Sequence, residues 1–376
     1  MIYLDHAATS PLRREALQAM LPFFSEDFGN ASAGYAAGRK ARAALERARM
    51  QTAQAIGAQR QEIYLTSGGS EADNWALFGV AGARPGRRRI VVSSVEHHAV
   101  LRACEALESR GAEVIRLGVS QDGQVDPEEA ARAITEETAL VSVMLANNEV
   151  GTIEPVAAIA KLAHAKGTLM HTDAVQAIGQ IPVNVGELGV DLLSLSAHKF
   201  GGPKGIGALY IKSGTRIDSL IYGGEQERGL RAGTENVPLA VGMGEAIAAA
   251  ASELEQTAAR ERELRERMIA LCLRLPGVRL NGSRVHRLPG NVHLSIRGMQ
   301  SALLVTNLDM RGIAASAGSA CAAGSIERSH VLEAMFPKEA GWADLRLTLG
   351  PESTQEDVSA AAAALSELLH RGKGEF

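Results

Sequence analysis

The stretch Ser194-Leu195-Ser196-Ala197-His198-Lys199-Phe200-Gly201-Gly202-Pro203 decides the fold. It places Lys199 directly after a short apolar strand, and the glycines that follow let the backbone turn tightly. Open α/β sheets bind ligands at the carboxyl ends of their strands. A lysine at such an end can form an imine with an aldehyde cofactor if burial or neighbours lower the pKa of its ammonium group. Taken alone, a lysine in such a position is more often a solvated surface charge. The other residues predicted near Lys199 must therefore distinguish a surface lysine from an imine-forming one.

Short β-branched runs alternate with segments of helical period on both sides of this stretch. This alternation predicts a mostly parallel sheet wrapped by helices. The predicted strands are 63–66, 90–93, 114–117, 140–143, 168–172, 192–196 and 208–211, and the predicted helices include 39–56 and 156–165.

The pattern changes at 237–275, an Ala-, Glu- and Arg-rich stretch that predicts one long connecting helix. Beyond it, apolar segments and an Ala-rich helix from about 354 predict a small α+β domain, on which the N-terminus should also pack. We expect a large domain over 13–255 and a small domain formed by 1–12 and 256–376, with a cysteine-bearing loop at about 316–330.

Composition excludes several classes of function. A chain of 376 residues that is 46% hydrophobic can bury a large core, and a net charge of −4 offers no basic surface for nucleic acid. No nucleotide-binding glycine motif opens a helix, and we find neither a signal peptide nor an apolar run near the ~20 residues that span a bilayer. The three cysteines form no C-x-x-C pair, which argues against a zinc cluster and for a reducing compartment. We expect a cytoplasmic protein without a nucleic-acid or membrane partner.

Two other strand ends carry groups that suit the same cofactor. Asp173 follows a predicted strand and could keep a pyridinium nitrogen protonated, although alone it is as good a helix N-cap. At 65–72, Gly68, Gly69 and Ser70 open a helix whose free N–H groups and dipole favour a phosphate. With Lys199 for the aldehyde, these sites match pyridoxal 5′-phosphate (PLP), and we predict a PLP enzyme.

Eight short motifs follow one another along the chain: Tyr3-Leu4-Asp5-His6-Ala7-Ala8-Thr9, Gly29-Asn30-Ala31-Ser32, Thr66-Ser67-Gly68-Gly69-Ser70-Glu71, Glu96-His97-His98-Ala99-Val100, Asn147-Asn148-Glu149-Val150-Gly151, His171-Thr172-Asp173-Ala174-Val175-Gln176, Ser196-Ala197-His198-Lys199 and Ser319-Ala320-Cys321. With these motifs the sequence resembles the cysteine desulfurases of the nitrogen-fixation and iron–sulfur-cluster type, within the class V aminotransferase superfamily. The resemblance covers nearly the whole chain. It implies the PLP-dependent transferase fold of type I, with a mostly parallel seven-stranded sheet and a small α+β C-terminal domain.

The resemblance assigns a role to each residue around the cofactor. Lys199 would hold PLP as a Schiff base, Asp173 would pair with the ring nitrogen, and Asn148 and Gln176 would lie near the ring hydroxyl. Thr234 would reach the phosphate from the other subunit, which makes a homodimer necessary for function. The remaining phosphate ligands implied are Gly69, Ser70, Ser196 and His198.

The resemblance also implies the residues that handle substrate. His97 would stack on the cofactor ring and is a possible acid–base group, although spacing alone does not separate it from His98. Arg346 would receive the substrate carboxylate together with Asn148, because a guanidinium pairs bidentately with a carboxylate. Without the resemblance, an arginine that alternates with leucines would in most cases lie on an exposed face of a strand. Cys321, in a run of small residues typical of the group with the longer cysteine loop, would be the sulfur nucleophile. By contrast, Cys104 and Cys272 sit in helical apolar patterns and are predicted to be buried thiols.

The function implied is removal of sulfur from L-cysteine, giving L-alanine and a Cys321 persulfide for an acceptor such as an iron–sulfur scaffold protein. Transfer-RNA thiolation is another possible destination. The alternatives are a selenocysteine lyase, another class V aminotransferase-like enzyme, or a non-catalytic sulfur-delivery protein. The family usually has Asn, Pro and His where His6, Ala31 and Tyr35 stand, so we expect the 5–9 turn to contact substrate differently.

Overall fold

The computed structural model describes residues 1–318 and 328–371. Its strands are β1 (Ile2–Tyr3), β2 (Ile63–Thr66), β3 (Arg89–Ser93), β4 (Glu113–Leu117), β5 (Thr138–Ser142), β6 (Leu169–Asp173), β7 (Leu192–Ser196), β8 (Gly207–Ile211), β9 (Val278–Leu280), β10 (Asn291–Arg297), β11 (Ile313–Ala314) and β12 (Trp342–Thr348). Its helices are α1 (Arg14–Met20), α2 (Pro22–Ser25), α3 (Ala36–Ala55), α4 (Gly69–Ala83), α5 (His98–Glu108), α6 (Pro127–Ala133), α7 (Val156–His164), α8 (Val185–Leu188), α9 (Val237–Cys272), α10 (Ser301–Asp309), α11 (His330–Met335) and α12 (Gln355–Arg371).

The predicted mostly parallel sheet is confirmed. It has seven strands in the order β2-β8-β7-β6-β5-β3-β4, and β8 runs antiparallel to both of its neighbours. The strands from β5 to β8 are buried along their whole length, as expected when helices cover both faces of a sheet. Because β2, β6 and β7 point the same way, their carboxyl ends meet at one edge of the sheet.

A second hydrophobic core surrounds a smaller sheet. Three antiparallel strands in the order β12-β10-β9 pack against α9, α10 and α12. The N-terminus joins this unit as predicted, since β1 pairs with β11 and Leu4 is fully buried in the second core. The predicted connecting helix corresponds to α9, and the expected domain boundary at 255/256 falls inside it, so that division stays a prediction.

By length and composition α9 could cross a membrane, a feature that the sequence prediction missed. Half of its most apolar window is buried inside the protein. That burial is typical of a core helix, and α9 indeed contributes side chains to both hydrophobic cores.

Candidate functional site

The three strand ends singled out in the sequence open into one cavity of about 650 Å³. A smaller adjoining cavity, of about 370 Å³, shares Lys199 and Gln176 but contains neither Asp173 nor His97, so we assign the site to the larger one. The predicted site residues that line the larger cavity are Gly69, Ser70, His97, Asn148, Asp173, Gln176, Ser196, His198, Lys199 and Arg346.

Lys199 ends a short 3₁₀ turn, Ala197–Lys199, directly after β7. Its Nζ donates hydrogen bonds to the carbonyl oxygens of Ala7 and Ala8, the latter at 2.9 Å. The side chain of Gln176 donates to the same Ala7 oxygen at 3.0 Å. The N-terminal turn therefore forms one wall of the site. The 5–9 motif lies beside residues that are far away along the chain.

Asp173 lies at the end of β6 and is 4% exposed. Its Oδ1 accepts a hydrogen bond from the backbone of Val175 at 2.8 Å, and burial raises the pKa of its carboxyl to about 6. Asp73, on α4, shares this buried space, and burial together with the charge of Asp173 raises the pKa of Asp73 well above its ordinary value. Because two interacting buried carboxylates cannot both ionise cheaply, this arrangement favours a proton on Asp73 and the charge on Asp173.

The third strand end leads into the N-terminus of α4. Gly68 precedes α4 with φ of +153°, a conformation that favours glycine. A side chain on Gly69 would meet Val175 at 2.7 Å, so only glycine lets α4 approach the loop after β6 this closely. Nearby, His198 Nδ1 lies 3.1 Å from the hydroxyl of Thr9. The 15-residue α4 thus points its N-terminus at the cavity.

His97 is the N-cap of α5, and its Nδ1 accepts a hydrogen bond from the backbone of Ala99 at 3.1 Å. This bond leaves the ring proton on Nε2. Burial, and secondly the charge of Lys199, lowers the pKa of His97 to about 4, so the imidazole is neutral at pH 7. His98 also lines the cavity and packs on the ring of His330 at 4.7 Å. The structure brings both histidines to the site, and the stacking role of His97 stays a prediction.

Arg346 is 2% exposed, so the alternative of an exposed strand face is wrong. It lies on β12 and donates to Asp5 Oδ1 at 2.9 Å and to the carbonyl oxygen of Asn148 at 3.0 Å. Its Nε has no hydrogen-bond partner among the described residues. The guanidinium is therefore held in place from two sides, and its buried Nε–H is left for another group.

The two remaining site predictions have different outcomes. Thr234 is exposed and is not among the residues that line the cavity, and Cys321 lies outside the described residues. Cys104 and Cys272 are buried, as predicted, and burial raises the pKa of each thiol to about 12. Because the thiolate is the attacking species, neither is suited to act as a nucleophile at neutral pH.

Sequence reasoning missed three residues at the cavity: Asp73, Glu149 and His330. Asp73 lies two residues beyond the quoted glycine motif, at helical spacing from Gly69. Glu149 stands inside the quoted motif at 147–151, where only Asn148 received a role. Nothing in the local sequence marks His330, which starts the short helix α11.

Comparison with known proteins agrees with this geometry. Two relatives named Cysteine desulfurase IscS, from Dictyoglomus turgidum and Methanosarcina thermophila, are 48% and 46% identical to this chain. Both alignments cover 98% of this chain, and they cover 95% and 92% of the relatives.

Solved structures are similar as well. One described as a NIFS-LIKE PROTEIN superposes with a TM-score of 0.93 and 36% identity, over 98% of this chain and 99% of that one. Another, described as SspA in complex with cysteine, gives a TM-score of 0.82 and 33% identity, over 94% and 100% of the two chains. The Aminotransferase class-V family matches residues 2–361, and this chain belongs to that family.

Proposed function

We propose that this chain is a PLP-dependent cysteine desulfurase, which converts L-cysteine to L-alanine and leaves the sulfur on Cys321. One observation carries the proposal: the Lys199 amine, the Asp173 carboxylate and the N-terminus of α4 meet in one cavity at three strand ends. The relatives named cysteine desulfurase and the neighbour described in complex with cysteine support the same activity.

The residues present fit PLP by charge and by position. Lys199 would bind its aldehyde and the anionic Asp173 its ring nitrogen, while Gly69 and Ser70 at the start of α4, with Ser196 and His198, would hold the phosphate. Asn148 and Gln176 line the same cavity and would contact the ring hydroxyl. The chemistry that PLP supplies when bound is an imine and an electron sink that make the Cα proton of an amino acid acidic.

The protein's own groups account for the remaining steps. Arg346 would orient the substrate through its carboxylate, and the amine of Lys199 would take the Cα proton. The thiolate of Cys321 would then attack the substrate sulfur. An S–S bond forms, the C–S bond breaks with its electron pair left on carbon, and that carbon gains a proton. The products, alanine and a persulfide, balance with no external oxidant or reductant.

The test is incubation of the purified protein with L-cysteine and a reductant, with alanine and sulfide measured together. Equal amounts of the two products are expected. Pyruvate and ammonia in their place would show β-elimination and would overturn the proposal.

The proposal includes a homodimer. Thr234 lies on the surface and away from its own chain's cavity, which suits the role of a phosphate ligand for a partner's site. We expect a dimer by light scattering, and expect activity when a Lys199→Ala chain is mixed with a Thr234→Ala chain, because one shared site is then intact. A fully active monomer would exclude the homodimer with its shared site.

Delivery of the persulfide to an acceptor such as an iron–sulfur scaffold, in the cytoplasm, completes the proposal. The two described cysteines are buried and unpaired, which is compatible with a reducing compartment. Transfer of ³⁵S from L-cysteine to a purified scaffold protein is the measurement, and a failure to label any scaffold would point to another acceptor.

A further inference from the structure

A buried glutamate beside the cavity contacts residues on both sides of the segment 319–327. Glu149 is 2% exposed, and its Oε2 accepts a hydrogen bond from the hydroxyl of Ser329. The same hydroxyl accepts a hydrogen bond from the backbone of Leu332 at 3.2 Å, which makes Ser329 the N-cap of α11. Glu149 therefore fixes the direction of the hydroxyl that starts α11.

On the other side of that segment, Gly318 packs directly on the same carboxyl. A Cβ added at Gly318 would lie 2.5 Å from Glu149 Oε2 and 2.8 Å from both Asp344 Oδ2 and His293 Nε2. The backbone N–H of Gly318 also donates to Asp344 Oδ2. A side chain at position 318 would therefore displace these three side chains, and Glu149 contacts both Gly318 and Ser329.

The surroundings of Glu149 are charged on several sides. Arg346 and Asp344 on β12 act on it with opposite signs, and His330 Nδ1 on α11 lies 4.0 Å from its Oε1. His293 on β10 is buried beside Gly318, and burial lowers its pKa to about 4, so it is neutral. Burial is the largest effect on Glu149 itself and raises the pKa of its carboxyl to about 7.

We propose that Glu149 is a positioning residue for sulfur transfer: its carboxyl packs against Gly318 and accepts a hydrogen bond from Ser329, and so sets where these two residues, on either side of the segment that carries Cys321, stand relative to Arg346. This inference rests on the proposed function, because it assumes that Cys321 receives the sulfur. It assigns Glu149 no contact with substrate or cofactor.

A purely structural role is the rival explanation, and Glu154 supplies the matched control. Glu154 is also buried, at 4% exposure, and burial raises the pKa of its carboxyl to about 8. Its hydrogen bond goes to the backbone of Val125 at 2.9 Å, and no described contact joins it to Gly318 or Ser329. Loss of a buried carboxyl as such would affect Glu154 and Glu149 variants alike.

The experiment compares Glu149→Ala, Glu149→Gln and Glu154→Ala in the holoenzyme. Two rates are measured after mixing with L-cysteine: the absorbance change of the cofactor, and the appearance of persulfide on Cys321 by alkylation and mass spectrometry. Glu149→Ala should keep the absorbance change and slow persulfide formation by about 10-fold or more, because a buried hydroxyl loses its acceptor. Glu149→Gln keeps an acceptor oxygen and should stay within about 3-fold of wild type, and Glu154→Ala should match wild type.

The pH dependence gives a readout that a structural role would not change. An ionised carboxylate accepts a hydrogen bond more strongly than a neutral amide. The persulfide rate of wild type divided by that of Glu149→Gln should therefore rise from pH 6 to pH 8. Ionisation of Cys321 affects both proteins and cancels in the ratio.

Each outcome has a defined meaning. Wild-type persulfide rates in Glu149→Ala, equal slowing of both measured steps, or equal slowing in Glu154→Ala would overturn the inference. If wild type places no sulfur on Cys321, the proposed function fails instead. Should Glu149→Ala not fold, Gly318→Ala tests the same contact and should slow persulfide formation, whereas Gly86→Ala, which has open space for a methyl group, should not.

Discussion

Lys199 and Asp173 reach the cavity from the ends of two adjacent strands of one sheet, whereas Glu149, Ser329 and Asp344 meet beside it from three separate elements. On the first side, which we call the cofactor side, backbone pairing between β6 and β7 sets the spacing. On the second side, which we call the sulfur side, contacts between side chains, such as the hydrogen bond between Ser329 and Glu149, set the positions. Strand pairing therefore positions the cofactor side, whereas single contacts position the sulfur side, and single substitutions should disturb the sulfur side selectively.

The largest expected effect is on the cofactor side. Lys199→Ala should lose the borohydride-reducible link to PLP and reduce turnover by about 10³-fold or more, because the imine-forming amine and the proton acceptor are removed together. Lys212→Ala, half exposed and remote from the cavity, is the control. Reduction that still fixes the cofactor to the variant would show that another lysine holds it.

Cys321→Ser should separate the two sides. The variant should bind PLP and change its absorbance with L-cysteine. It should form no persulfide and should release alanine at least about 10²-fold more slowly than wild type, because a hydroxyl hardly ionises. Cys104→Ala removes a buried thiol and should transfer sulfur normally. Near-normal alanine production by Cys321→Ser, or the extra sulfur found on Cys104 or Cys272, would refute this division of labour.

The sequence could predict the cofactor side because strand, turn and helix signals are local. The strand 192–196 and the groups after it were predicted at the positions that the structure shows, since a lysine or an aspartate at a parallel strand end has one edge to occupy. The sulfur side could not be predicted in the same way. The contact between Glu149 and Ser329 joins residues 180 positions apart, and no periodicity encodes such a contact.

Arg346 illustrates the same limit. Its alternation with leucines indicated an exposed strand face, and only the resemblance favoured a substrate role. In the structure Arg346 is buried and donates hydrogen bonds to Asp5 and Asn148, which approach from distant parts of the chain. Pairing between a buried arginine and remote partners is a tertiary property, so the local pattern was misleading.

Arg346→Lys should have a smaller effect, and it tests the contribution of Arg346 to substrate binding between the two sides. A lysine keeps the charge but loses the fork that binds a carboxylate with two hydrogen bonds, so KM for L-cysteine should rise by about 10-fold with PLP affinity unchanged. Arg116→Lys breaks a similar two-bond pair, with Glu108, on the surface and should leave KM unaltered. An unchanged KM in Arg346→Lys would remove Arg346 from substrate binding.

The smallest effect concerns stability and tests whether the buried carboxyl of Glu154, the control for Glu149, is neutral in the folded protein. Glu154 accepts a hydrogen bond from the backbone of Val125, and burial raises the pKa of its carboxyl to about 8. In the unfolded chain a glutamate loses its proton near pH ~4.3. Between these values the folded state binds the extra proton, so the free energy of unfolding contributed by Glu154 falls as pH rises from 5 to 8.

Glu154→Gln keeps the acceptor oxygen and has no proton to lose. Relative to wild type, its melting temperature should therefore increase between pH 5 and pH 8, by roughly 2–4 °C. Glu108→Gln, at the surface, should alter the stability without this trend. A constant difference between wild type and Glu154→Gln across the range would mean that Glu154 is ionised in the folded protein, and the hydrogen bond from Val125 would then have to stabilise a buried negative charge.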